Sequence, residues 1–144
     1  MARPRGGDWL ADEMYSLRAI AADLVVCLLT DVERNDLGLA DESQAAEYAG
    51  LRFKAFPIVD RLTPELGPFL RLIEDLVEQL ALGSHIVVHC RMGIGRASMV
   101  AAAVLMAQGN PTDQSWAAVQ AARGLDVPDT PDQRVWVDAA MASD

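Results

Sequence analysis

Eight consecutive residues, His89-Cys90-Arg91-Met92-Gly93-Ile94-Gly95-Arg96, put a thiol, two glycines and two guanidinium groups into one short stretch. A cysteine beside a helix N-terminus and an arginine is held as the thiolate, a nucleophile that needs no adjacent base. Gly93 and Gly95 permit turn dihedrals and close approaches that a Cβ resists. The loop can therefore aim successive N–H groups inward, and the following helix adds its positive end. Arg96 offers a planar fork matching two oxygens of an oxyanion, where a lysine would offer a point charge. Nucleophile, anion cradle and bidentate clamp lie within seven residues, the equipment for displacement at a tetrahedral oxyanion. A structural cysteine beside a glycine turn would have no use for the arginine.

The elements around this loop must position it. Ile86-Val87-Val88 precedes it as an apolar β-branched run and Ala97 to Ala107 follows as an apolar helical segment, so the loop joins a strand to a helix N-terminus. Upstream, Leu10, Met14, Leu17 and Ala21 recur at helical spacing and predict a helix over 9–22, with Asp8, Asp12 and Glu13 at its positive end. Leu24 to Leu29 predicts a buried strand, and Cys27 inside it is core packing. Residues 30–40 read as irregular. Asp41 with Gln44 resembles a capping box for a short helix that Gly50 ends, and 51–56 is the next strand. Pro57 ends that strand and makes 57–62 a loop. Thr63 as N-cap and Pro64 at the first position predict a helix to about Leu82, with Leu66, Leu70, Ile73, Val77 and Leu80 as its buried stripe. His85 reads as a solvent-facing strand start. The helix over 96–108 is apolar all round and therefore central, and helices over 113–123 and 131–142 complete the chain.

Strands alternating with helices imply an α/β fold: a small, mostly parallel sheet with helices on both faces. In such a sheet the loops at the carboxyl ends of the strands share the ligand-binding edge. Thr30–Asp31, the 57–62 loop and the Cys90 loop all fall there.

At 144 residues the chain is expected to form a single domain, 1–144, with one real core. No span is long enough to cross a bilayer and no signal-peptide pattern opens the chain. Two cysteines without CxxC spacing point to a reducing compartment, the cytoplasm, and to no zinc site. A formal net charge of −9 argues against nucleic acid and anionic membranes as partners. A monomer is expected.

The Cys90 loop resembles the signature of the cysteine-dependent protein tyrosine and dual-specificity phosphatases, His-Cys-x-x-Gly-x-x-Arg followed by Ser or Thr. It matches at His89, Cys90, Gly93 and Arg96 and departs at Ala97. Phe56-Pro57-Ile58-Val59-Asp60 resembles the acid loop of the dual-specificity group, and the similarity runs from about Arg3 to Val137. It implies a dual-specificity phosphatase-like fold, whose relatives carry further strand structure ahead of the first helix. It also implies a metal-independent phosphomonoesterase, a protein-tyrosine or dual-specificity phosphatase working through a phosphocysteine, with no cofactor and with a phosphorylated protein or small molecule as substrate. Cys90 would be the nucleophile, Arg96 the clamp and Asp60 the general acid, with Asp31 as the competing acid. Arg91, Met92, Gly93, Ile94, Gly95 and Arg96 would form the phosphate-binding loop, and His89 would support it.

In relatives a glutamine near the last helix can face the site; here Gln133 also follows Thr130 by three, and a capping box accounts for both. Arg61 and Arg91 could flank the pocket mouth, and Arg3 and Arg5 lie in a segment similar to the openings of bacterial relatives. Relatives place a hydroxyl where Ala97 stands, easing phosphocysteine hydrolysis; Ser98 would substitute only if the helix began one residue later. Phosphoinositide phosphatases of this kind often carry two lysines flanking the central glycine, where this chain has Arg91 and Ile94. The rival readings are a phosphatase of phosphoinositides or other small phosphorylated molecules, arsenate reduction or sulfur transfer, and a non-catalytic phosphate-binding module.

Overall fold

The structure, a computed structural model, describes residues 1–142. A 3₁₀ turn at Gly7–Trp9 leads into α1 (Leu10–Ala19), followed by β1 (Leu24–Cys27), α2 (Asp31–Asp36), α3 (Glu42–Tyr48) and β2 (Arg52–Ala55). Next come α4 (Leu66–Ala81), β3 (Ile86–His89), α5 (Arg96–Ala107), α6 (Thr112–Arg123) and α7 (Pro131–Ala142). The three strands form one parallel sheet in the order β2-β1-β3.

β1 is central and wholly buried, and its two-residue period divides the core. Leu24, Val26 and Leu28 face a layer that contains Phe69, Ile73 and Leu76 of α4 and Met99, Val100 and Ala103 of α5. Val25, Cys27 and Leu29 face the other side, against Leu10 and Met14 of α1 and Ala46 of α3. Cys27 thus packs in the core as expected. The α/β architecture with helices on both faces is the one that the alternating pattern predicts. Among the described residues no helix is long and apolar enough to cross a membrane.

Four local expectations fail, the first being the buried stripe of α4: Leu66 is half exposed and Leu70, Val77 and Leu80 are only partly buried, while Phe69, Leu72 and Leu76 join Ile73 in the core. Residues 30–40 are not irregular: Thr30 caps α2 through a reciprocal box in which its hydroxyl accepts from Glu33 N–H and the Glu33 carboxylate accepts from Thr30 N–H. Asp41 makes no such bond, because its backbone (φ −96°, ψ 16°) is not the extended conformation of a capping residue. The next helix starts at Leu66, not at Pro64, with Glu65 as an N-cap that makes no side-chain bond. Pro68 explains the later start. A helix begun at Pro64 would need an N–H from Pro68, whereas a start at Leu66 puts Pro68 in the first turn, where no donor is used.

Candidate active site

The parallel register sets Cys27 beside both Ala55 and His89, so the three strands end level. Their continuations bring Thr30 and α2, the 56–62 loop and the Cys90 loop to one edge, as expected. α5 starts at Arg96, and its first N–H groups have no intrahelical acceptor. One of them, on Ala97, donates to Cys90 Sγ at 3.4 Å, and Gly93 N–H donates at 3.3 Å. Cys90 itself is buried. Two backbone N–H donors and a helix end thus converge on one sulfur.

The two glycines of the loop serve different ends. Gly93 has φ +72°, and a Cβ there would lie 2.5 Å from the Met1 carbonyl carbon, because the chain's opening residues pass against the loop. Arg3 N–H donates to Arg91 O at 3.1 Å in the same contact. Gly95 has an ordinary φ but no room: a Cβ would meet Asp129 Cβ at 2.8 Å and Gln133 Oε1 at 2.9 Å.

Arg96 is fully buried, and three of its four Nη hydrogens are hydrogen-bonded. Glu33 takes it in a fork, Nη1 to Oε1 at 2.6 Å and Nη2 to Oε2 at 2.9 Å. Nη1 also donates to Ile58 O at 2.8 Å, and Nη2 lies 3.2 Å from Asp60 Oδ1. Burial works against the guanidinium's charge, but Glu33 outweighs it and the pKa is raised. In return Arg96 holds the Glu33 carboxyl down at about 2, against an ordinary 4.5. A bound oxyanion could therefore take only Nε–H and the second Nη2–H, beside which Asp60 stands as an ion-pair partner.

Asp60, Cys90, Arg91, Met92, Ile94, Gly95 and Arg96 line one cavity of about 80 Å³ together with Asp129. At roughly 30 Å³ per water in the liquid, it suits a group of phosphoryl size. A larger cavity of about 480 Å³ between α4, β3, α5 and α6 is lined by apolar side chains such as Leu80, Ile86 and Val104, and holds no nucleophile.

The remaining expected residues sort as follows. Asp31 is in the first turn of α2, its side chain 88% exposed and 3.8 Å from Arg34, and it does not line the cavity. Gln133 does close the expected box with Thr130, its Oε1 accepting from Thr130 N–H. Its Nε2 donates to Leu62 O in the acid loop, so it braces that loop from behind Gly95. Arg61 does not stand free at the mouth: it pairs with Asp129 at 3.1 Å. Arg5 is occupied by Glu13 and lies over the Trp9 ring. Ser98 is buried with no hydrogen-bond partner for its hydroxyl among the described residues, so it does not replace the missing hydroxyl at Ala97.

His89 is buried, with Nδ1 3.2 Å from Cys90 O and Nε2 2.6 Å from Glu42 Oε2. Four residues of the site went unread in the sequence: Glu33, Glu42, Asp129 and Arg123. Arg123 ends α6 and donates to Gly93 O and Met92 O, tying down the loop. Only Glu33 had a local signal, the Thr30-x-x-Glu33 box. The other three are brought in by packing alone.

A three-stranded parallel sheet whose last strand enters a Cys-x5-Arg loop at a helix N-terminus defines the dual-specificity phosphatase fold. The chain belongs to the Tc-R-P family, described as polymorphic toxin system, DSP-PTPase phosphatase, whose model matches residues 1–110. It is thus a cysteine-based phosphatase of the dual-specificity type. No curated protein matches the chain. Among solved structures, kinase associated phosphatase with its catalytic-site cysteine changed to serine is 18% identical, covering 99% of this chain and 86% of that one at a TM-score of 0.88. Tk-PTP in its active form is 25% identical over 91% of this chain and 84% of its own, with a TM-score of 0.76. PTPMT1 in complex with PI(5)P is 18% identical over 98% and 87%, with a TM-score of 0.78.

Proposed function

We propose that this chain is a metal-independent protein-tyrosine or dual-specificity phosphatase that works through a phosphocysteine on Cys90. The observation that carries the reading is the convergence on Cys90: Sγ accepts N–H bonds from Gly93 and Ala97 and shares an 80 Å³ cavity with Arg96 and Asp60. Cys90 Sγ attacks phosphorus in line as the ester bond breaks. Asp60, displaced from Arg96 by the phosphoryl group, protonates the departing oxygen. Arg96, through Nε–H and Nη2–H, and the loop amides hold the equatorial oxygens while charge redistributes. Asp60 then takes a proton from the water that cleaves the phosphocysteine.

The cavity supports phosphotyrosine over polyphosphorylated inositides. Of the two loop positions that would meet extra phosphates, Arg91 is cationic and Ile94 is not. Arg61 is neutralised by Asp129, whose carboxylate lines the cavity and repels a second phosphate. Each missing charge-assisted contact costs about 1.5–3 kcal/mol, tenfold or more in discrimination. The family's place in polymorphic toxin systems supports the domain as the phosphatase unit of such a system.

A panel of phosphopeptides, a soluble phosphoinositide and a small aryl phosphate, assayed in EDTA, tests the reading. Vanadate-sensitive turnover with phosphotyrosine peptides preferred is expected. A kcat/KM for the phosphoinositide above that for every peptide would overturn the substrate class, and turnover restored only by added metal would overturn the chemistry.

A further inference from the structure

We propose that Asp129 is a positioning residue for the general acid: its ion pair with Arg61 fastens the turn that carries Asp60 at the phosphate cavity. The inference rests on the reading of Asp60 as the acid and names what holds it in place. Between β2 and α4 the chain crosses residues 56–65 without a helix or strand, so the position of Asp60 depends on what grips the residues beside it. On one side the grip is the sheet and the clamp. Ile58 N–H donates to Leu28 O at 3.0 Å, and Ile58 O accepts from Arg96 Nη1 at 2.8 Å. On the other side a turn closes, with Leu62 N–H donating to Val59 O at 3.0 Å, and two links leave it. Gln133 Nε2 donates to Leu62 O at 3.3 Å, and Arg61 Nη1 lies 3.1 Å from Asp129 Oδ2.

Both links run to the start of α7, and that segment is itself packed hard against the phosphate loop. A Cβ on Gly95 would meet Asp129 Cβ at 2.8 Å and Gln133 Oε1 at 2.9 Å. The Arg61–Asp129 pair therefore ties the acid's turn to a segment whose distance from the phosphate loop is fixed. Asp129 lines the cavity together with Asp60 and Cys90, so the tie lies at the site and not on distant surface.

The backbone at Arg61 agrees with this. Its φ of +65° is in the left-handed region, which a residue with a Cβ enters at a cost and glycine enters freely. Strain of this kind persists where the surroundings over-determine it, and here they are the Val59–Leu62 bond and the Asp129 carboxylate. Asp60, immediately before Arg61, has a side chain 54% exposed, and its ion-pair partner is Arg96, 3.2 Å away. Once a phosphoryl group displaces it from Arg96, as the proposed reaction requires, the anchors on either side keep the carboxyl by the departing oxygen.

A leaving-group series of aryl phosphates tests the proposal, read as the ratio of kcat/KM for a poor leaving group to that for an activated one. Arg61→Asn removes the cation yet suits a positive φ, and Asp129→Asn keeps the side-chain shape and removes the anion. The Arg61 side chain is 61% exposed, so the pair is weak and the expected fall is about fivefold, or about 1 kcal/mol at about 1.36 kcal/mol per tenfold. Each single variant should lower the ratio by that factor, and the double variant no further than either alone. Neither should lower it when Asp60→Asn is already present. An altered cavity charge changes phosphate binding for every ester alike and cancels in the ratio. No fall, additive falls, or a fall that persists beside Asp60→Asn would overturn the proposal. A ratio left unchanged by Asp60→Asn alone would refute the acid assignment, and the proposal with it, whatever the Arg61 and Asp129 variants do.

Discussion

Glu33→Gln tests how much of the fold and of the clamp rests on one buried fork. Arg96 holds the Glu33 carboxyl at about 2 against an ordinary 4.5. The difference of about 2.5 units, at 1.36 kcal/mol each, comes to roughly 3 kcal/mol of native-state stability. Glu33 is 13% exposed and Arg96 1%, so solvent screening removes little of it. Breaking one partner out of a buried pair costs about 3–5 kcal/mol by independent precedent, and the glutamine carbonyl would recover one bond, so the two figures agree. The sign is that of a depressed carboxylate: the stabilisation is fully present above pH 4.5 and is lost as pH falls toward 2. Urea unfolding of both proteins from pH 7 to pH 2 should therefore show a gap of about 3 kcal/mol at neutral pH that closes below pH 4.5. The freed guanidinium should also lose its aim, lowering kcat/KM on the order of 10²-fold. A stability gap that is the same at pH 7 and near pH 2 would refute the reasoning.

Three further outcomes follow from the same geometry. Asp60→Asn should slow esters with poor leaving groups by about 10²–10⁴-fold and activated aryl esters far less, while exposed Asp31→Asn should leave both unchanged; the reverse pattern in a leaving-group series would reassign the acid. Ala97→Ser should raise turnover and reduce a pre-steady-state burst of phenol release, because the wild-type chain has no hydroxyl bonded to Cys90 Sγ; no burst in the wild type and no gain in the variant would remove that idea. Gly95→Ala should disturb the loop through Asp129 and Gln133, 2.8–2.9 Å from the added carbon, costing about 1–3 kcal/mol in a thermal melt; unaltered stability and activity would contradict the packing described.

The parts of the fold that the sequence made legible are those where one local pattern had no competitor. Leu24–Leu29 and Ile86–Val88 are short apolar runs containing β-branched residues, and β1 and β3 form within and along them. His89 to Arg96 carries its chemistry in contiguous residues, so the loop could be read directly. The helix expected from Pro64 starts at Leu66 instead, because Pro68, four residues after Pro64, constrains the same turn more strongly. α2 was missed because it has no apolar stripe: none of its residues is buried. Its one local mark is the Thr30-x-x-Glu33 capping box, which is also the only sequence signal for Glu33. Glu42, Asp129 and Arg123 lie 48, 39 and 33 residues from Cys90 in sequence. They meet the loop only because α3, the α6–α7 connection and α6 pack around it. Long-range placement of a single charged residue leaves no periodic trace in a sequence.

The central claim is that a phosphoryl group passes through Cys90. Rapid acid quench of the wild-type protein during turnover of an isotopically labelled aryl phosphate, followed by peptide mass analysis, tests it most directly. The account predicts labelled phosphate on the Cys90 peptide, absent in Cys90→Ser and accumulating further in Asp60→Asn, where water activation is lost. Turnover with no label on Cys90, or label retained in Cys90→Ser, would contradict it.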